Sequence, residues 1–154
     1  MNPTTKDYTL PRTGQPPLSF CGRLLAQDLD APTTRPGEFK KRPWRKWTHY
    51  QWHQLAVYVT IAGKWVLHVG YRSVLEHEWK HDAVYVCADA AEVVRALEGY
   101  DPTAHVRGHP RRSNAREERL EIRQARILEE VRGRWQAQVG RLLAAVEDFG
   151  ERVG

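Results

Sequence analysis

Apolar and polar residues alternate with a period of two over residues 18–27, "LSFCGRLLAQ". Leu18, Phe20, Leu24 and Ala26 oppose Ser19, Cys21, Arg23 and Gln27. Such alternation marks a half-buried strand, and Gly22 fits within it as a bulge or a close backbone approach. The same period returns in "QLAVYVTI", with Leu55, Val57, Val59 and Ile61 on one face. It continues in "WVLHVGY", with Trp65, Leu67, Val69 and Tyr71 on one face. Ala62-Gly63-Lys64 between them predicts a three-residue hairpin loop that pairs Ile61 with Trp65 and unites the two apolar faces. A two-residue loop would set Lys64, His68 and Gly70 beside the apolar residues and bury less. "DAVYVCA" (82–88), rich in β-branched and aromatic residues, predicts a fourth strand.

The period then changes. Asp89-Ala90-Ala91-Glu92 has the spacing of a capping box, Ala90, Val93, Val94 and Leu97 share one helical face, and Gly99 follows as a stop. Asn114 and Glu117 offer a second capping box before a longer helix. Along it Leu128, Val131, Trp135, Val139, Leu142, Val146 and Phe149 step by 3, 4, 4, 3, 4 and 3. That is the 3.5-residue repeat of a coiled-coil seam. A helix with this seam cannot bury it alone, so it either folds back on the sheet or pairs with another chain.

These patterns predict an α+β fold: a small antiparallel β-sheet of about four strands in a meander, one short packed helix and a long C-terminal amphipathic helix. Residues 1–17, polar and holding four prolines, read as a flexible N-terminal tail. Residues 18–99 form the sheet-plus-helix domain, 100–113 a linker, and 114–154 the long helix. "DLDAPTTRPGEFKKRP" (28–43) reads as a loop long enough to be functional or disordered.

Composition adds little to the fold but changes the functional picture. The chain has 154 residues, 41% of them hydrophobic, six Trp and two Cys. No apolar run reaches the length of a membrane span, and no apolar segment follows the polar start. Cys21 and Cys87, far apart in strand contexts, read as free thiols. The expectation is a cytoplasmic protein with no membrane partner and no cofactor. Net charge is +5, and one stretch equals it: residues 35–47, "RPGEFKKRPWRKW", hold six Lys and Arg against Glu38. A local excess of this kind resembles a binding footprint.

Within that stretch, Lys40, Lys41, Arg42, Arg45 and Lys46 interleave with Trp44 and Trp47. Cations neutralise phosphates, while indole rings stack on unpaired bases or insert into a groove. Arg111 and Arg112 extend the basic character ahead of the long helix. The reading is a non-enzymatic accessory protein that binds nucleic acid, DNA or RNA. The alternative is an interaction module whose last helix engages a partner protein or a second copy through Leu128, Val131, Trp135, Val139, Leu142 and Val146.

"LEHEWKH" (75–81) contains H-E-x-x-H, which on a helix holds zinc beside a general base. His77 and His81 are therefore metal-ligand candidates for a small zinc-dependent hydrolase. Strand signals end near Val74 and resume at Asp82, however, leaving less than two helical turns. A polar strand connection is the expected structure, with no metal. Two further H-x-x-x-H pairs, His49/His53 and His105/His109, share the spacing. His49 and His53 enter a strand, where they lie about 13 Å apart, too far to share one ion, and the Gly108 within and Pro110 after the other pair argue against a helix there. His68, Tyr71, Arg72 and His81 form a last candidate set, for acid–base work on a phosphodiester.

Overall fold

A computed structural model describes residues 5–30, 51–73, 80–106 and 117–146, with the side chains of the last segment from residue 125 onward. Five strands and two helices follow in chain order. They are β1 (Lys6–Arg12), β2 (Gln15–Asp28), β3 (Gln51–Thr60), β4 (Trp65–Ser73), β5 (Lys80–Cys87), α1 (Ala90–Gly99) and α2 (Glu117–Ala145). The strands form one sheet in the order β1-β2-β3-β4-β5, each antiparallel to its neighbours. This is the expected α+β meander with one strand more.

The additional strand is β1, in residues expected to be a flexible tail. Tyr8 and Leu10 alternate with polar neighbours and pair with Phe20 and Leu18 of β2. A strand tolerates proline at an irregularity of its ladder. Pro11 falls at a register shift between Leu10 and Arg12. Thr13-Gly14 then makes a tight turn, with Gly14 at φ 79. A proline count measures the loss of backbone donors, which has no cost at a bulge or an edge.

The sheet curls until its ends meet. Thr13 N donates to the Asp82 carbonyl (2.9 Å) and Asp82 N donates to Thr13 Oγ1 (2.8 Å). Two features of β2 allow this curvature. A register shift between Leu24 and Ala26 bends the strand. At Gly22 a Cβ would lie 2.2 Å from the Val59 carbonyl oxygen, so only glycine permits the backbones to approach this closely. Inside the curl, Leu10, Ala56, Tyr58 and Val66 pack with Tyr8, Leu18, Phe20 and Val84. The rings of Tyr8 and Phe20 lie 4.8 and 5.4 Å from that of Tyr58. Deeper on this face, Asp82 Oδ1 accepts from His68 Nε2 and Arg72 Nη2, each at 2.8 Å.

Both helices cover the opposite face, α1 against β4 and β5, α2 against β2 and β3. Leu55, Val57, Leu67 and Val69 are fully buried there, with Val93 and Leu97 from α1 and Trp135 and Leu142 from α2. Each such side chain contributes about 1.5–3 kcal/mol by leaving water. The Asp89 cap of α1 forms as its spacing predicts, Asp89 Oδ1 accepting from Glu92 N (2.9 Å), but Glu92 Oε2 reaches back one residue further than in a capping box, to Ala88 N (2.7 Å).

The β3–β4 hairpin differs from the expected register. Val59, not Ile61, pairs with Trp65, and Thr60 N donates to the Lys64 carbonyl. The loop is still three residues, but it is Ile61-Ala62-Gly63. This places Gly63, at φ 84, at the last loop position, where three-residue hairpins require a left-handed residue. The shift preserves the apolar face and leaves Ile61 72% exposed in the turn. Glycine chemistry, rather than one more apolar pair, sets the register.

Candidate functional site

Opposite that turn lies the end of the sheet where β2 and β4 finish and β3 and β5 begin. Its outermost rows are set by register. Gln51 pairs with Ser73; Trp52, Arg72 and Lys80 form a row on the curled face; His53, Tyr71 and His81 form a row on the helix face. The turn after α1 adds a third histidine. Asp101 accepts from Thr103 N (2.9 Å) and Thr103 Oγ1 (2.6 Å), a local bond typical of an Asp-Pro-Thr turn. His105 then stacks on His81, ring centroids 3.8 Å apart.

Aromatic rings enclose His53. Trp135 meets it edge-on at 5.0 Å, Tyr71 lies at 5.4 Å and Tyr100 at 6.1 Å, and Tyr100 stacks on Trp135 at 4.8 Å. Burial is the chief reason that His53 titrates near pH 4, with Arg134 and His105 adding to it and the Pro102 carbonyl opposing. His53 is therefore neutral at pH 7. Burial, with His81 alongside, lowers His105 in the same direction. Burial also raises the Tyr100 hydroxyl far above the ordinary phenol range.

Five buried side-chain atoms among the described residues have no hydrogen-bond partner: Gln51 Nε2, Trp52 Nε1, His53 Nε2, His81 Nδ1 and Tyr100 Oη. Four belong to the outermost rows, and Tyr100 packs against their back. Unpaired buried polar atoms are rare and costly, so their concentration at one end marks it. Beside them is a cavity of about 10 Å3 lined by Asp30, Gln51, His53, Tyr71, Arg134 and Gln138, among others. That is close to the space one water occupies.

Side chains of α2 hold the two backbone ends that flank residues 31–50. The β2–β3 ladder finishes at Asp28↔Leu55, so residues 51–54 of β3 have no β2 partner on that side. Arg134 and Gln138 supply donors in place of a strand. Arg134 Nη1 donates to the Gln51 carbonyl (3.0 Å), and Gln138 Nε2 donates to the carbonyls of His53 (2.9 Å) and Asp28 (3.3 Å). Ion pairs complete the clamp. Arg134 Nη2 lies 3.1 Å from Asp30 Oδ2, and Arg141 Nε 2.7 Å from Asp28 Oδ2. The Arg141 guanidinium, with help from the Gln138 amide, holds the Asp28 carboxyl below its ordinary range.

The expected sites fare unequally. Lys40, Lys41, Arg42, Trp44, Arg45, Lys46 and Trp47 lie outside the described residues, as do Arg111, Arg112 and His77. His81 is in β5, paired with Tyr71, so the second histidine of H-E-x-x-H is in a strand, while the first lies outside the described residues. Among the described residues no three His, Cys, Asp or Glu side chains gather to hold a metal ion. The phosphodiester set is divided by strand alternation: His68 and Arg72 face the curl, Tyr71 and His81 the helices. Adjacent numbers on one strand could have shown this. Val131, Trp135, Leu142 and Val146 of the seam are buried, with Trp135 and Leu142 in the chain's own core.

Sequence reasoning missed the clamp. Its one legible signal is Gln138, a polar residue three positions after Trp135 and four before Leu142 on the apolar face. Cys21 and Cys87 are both free thiols. No helix among the described residues is long and apolar enough to cross a membrane. No protein-family model, curated protein or solved structure matches the chain, which leaves its residues as the ground for a functional reading.

Proposed function

We propose that this protein is a non-enzymatic nucleic-acid-binding accessory protein, with its cation-rich stretches as the binding surface. The observation that carries this is convergence. Asp30 and Gln51 flank residues 31–50, and both are fixed to α2 at the open end of the sheet. His105, just before residues 107–116, stacks on the same end. Those two stretches contain ten Lys and Arg against a single Glu, whereas the whole chain has a net charge of only +5. We take the +9 that these stretches carry, more than the net charge of the whole chain, as one footprint attached at this end. In this reading Lys40, Lys41, Arg42, Arg45 and Lys46 hold phosphates, Trp44 and Trp47 meet bases or sugar, and Arg111 and Arg112 widen the footprint.

The test is the salt dependence of binding to labelled oligonucleotides, followed by fluorescence anisotropy. Each phosphate neutralised contributes roughly 0.9 to the slope of log affinity against log salt on duplex DNA, and roughly 0.7 on a single strand. Replacing Lys41, Arg42 and Arg45 by Ala should therefore flatten the slope by about 2–3. No measurable binding to DNA or RNA at low salt would end the reading.

A further inference from the structure

We infer that β5 is the contact edge of a homodimer, with Val84 and Val86 pairing antiparallel with the same residues of a second copy. This goes beyond the function proposed above and does not depend on it. Hydrogen bonds close the curl of the sheet at one point, where Asp82 turns its N–H and carbonyl away from β4 to meet Thr13. Backbone groups alternate sides along a strand, so Val84 and Val86 turn theirs outward as well. β5 ends the strand order, and among the described residues no hydrogen bond reaches those outward groups. The Val86 side chain is 57% exposed. Natural edge strands are guarded by Lys, Pro, a bulge or a covering segment. Residues 83–88, "AVYVCA", contain no charge, Pro or Gly. Their pairing with β4 runs without a bulge from Arg72↔Lys80 to Trp65↔Cys87.

The occupant is a second copy because this edge is complementary to itself. A two-fold axis at Tyr85 sets Val84 of each copy against Val86 of the other. Both are hydrogen-bonded pairs that exchange N–H and carbonyl, so every outward group of the two residues finds a partner. An axis at Val84 would instead require Asp82, whose outward groups Thr13 already holds. The axis at Tyr85 also matches charge. It brings Lys80 and His81 at the start of one β5 level with Asp89 and Ala90 at the start of the other α1, and Lys80 and Asp89 are both exposed. Beyond Cys87 the chain leaves the strand for α1, so the second copy ends where Thr13 occupies the edge. A strand pair this short falls below the roughly 1,200 Å2 of a standard interface, and the dimer is therefore weak and concentration-dependent.

Sedimentation velocity of the full chain, from about 5 to about 500 μM, reads the number of copies, and amide hydrogen exchange reads the edge. Wild type should pass from one copy toward two as concentration rises. Over that range the Val84 and Val86 amides should slow, while those of Ala83 and Tyr85, which face β4, should not. Val86→Lys puts like charges beside the axis and should weaken association by about 10-fold. Val86→Thr keeps the strand propensity without the charge and should weaken it far less. Lys80→Glu sets an acid opposite Asp89 and should weaken it by about 2- to 5-fold. A single copy at every concentration overturns the inference. So does a dimer that Val86→Lys leaves unchanged, or one that forms while Val84 and Val86 exchange as before, because such a dimer is joined elsewhere. The exchange measurement uses wild type alone, and decides the matter if Val86→Lys fails to fold. None of these outcomes bears on oligonucleotide binding.

Discussion

The two ends of the sheet are built on opposite principles. At the β3–β4 turn, backbone groups bond one another and the nearby rows are apolar: Val57 against Leu67, Leu55 against Val69. At the other end the rows are Gln51 with Ser73 and His53 with Tyr71 and His81. Five buried polar atoms there, or just behind, lack partners. The two ends share the same strands, so the difference does not come from the strand framework itself. A protein tolerates unpaired buried groups where something other than folding selects the residues. The turn end is closed by backbone bonds over apolar rows, and the open end is where the proposed function is set.

Trp135 joins the two, packing with Leu142 and Leu97 in the core and edge-on to His53 at the open end. Trp135→Ala should therefore have the largest effect of any single truncation, about 3–5 kcal/mol, read from the urea midpoint. If the ends are separable, the loss should appear first at the open end. Amide exchange of residues 51–54 should then quicken more than that of residues 65–69. Uniform loss of protection would show that the distinction is one of composition only.

The turn end was largely legible in sequence because apolar alternation reports burial directly. The hairpin faces, the cap at Asp89 and the apolar side of α1 all follow from periods of two and 3.6. What failed there was a register shift of two residues, decided by the left-handed conformation of Gly63, and β1, hidden by its prolines. The open end was nearly illegible. His81 meets His105, and Gln138 meets Asp28 and His53, across gaps of 24 to 110 residues. No local pattern encodes such pairings. Periodicity identified the seam of α2 but not its partner, since an apolar stripe states only that it must be covered. The curl of the sheet, which brings Thr13 to Asp82, is equally absent from local pattern.

Acid should act selectively on the open end. The His53 pKa in the folded protein is about 4, against 6.5 for an unperturbed histidine. Between those values the unfolded chain takes up a proton that the folded one refuses. Stability should thus be fully present above pH 6.5 and fall progressively as pH drops toward 4, by on the order of 3 kcal/mol from His53. The lowered His105 adds in the same direction. Urea midpoints measured across this window should show that slope, and His53→Gln should reduce it markedly. A variant as acid-sensitive as wild type would place the titrating group elsewhere.

The smallest test compares two removals of a polar group. Thr13 Oγ1 accepts from Asp82 N at 2.8 Å, so Thr13→Val leaves a donor unpaired at the seam of the curl. Trp52 Nε1 has no acceptor, so Trp52→Phe removes a donor that was already unpaired. The first should cost about 1 kcal/mol and the second recover a fraction of that, less what the smaller ring loses in packing. Per kcal/mol, a shift of about 2–4 °C in melting temperature is expected at this chain length. The two variants should therefore fall on opposite sides of wild type in one calorimetric series. Opposite signs would mean that Trp52 is retained against stability, which a residue serving only the fold would not be. If Trp52→Phe is the more destabilising of the pair, the indole is needed for packing, and the open end loses one of its marks of function.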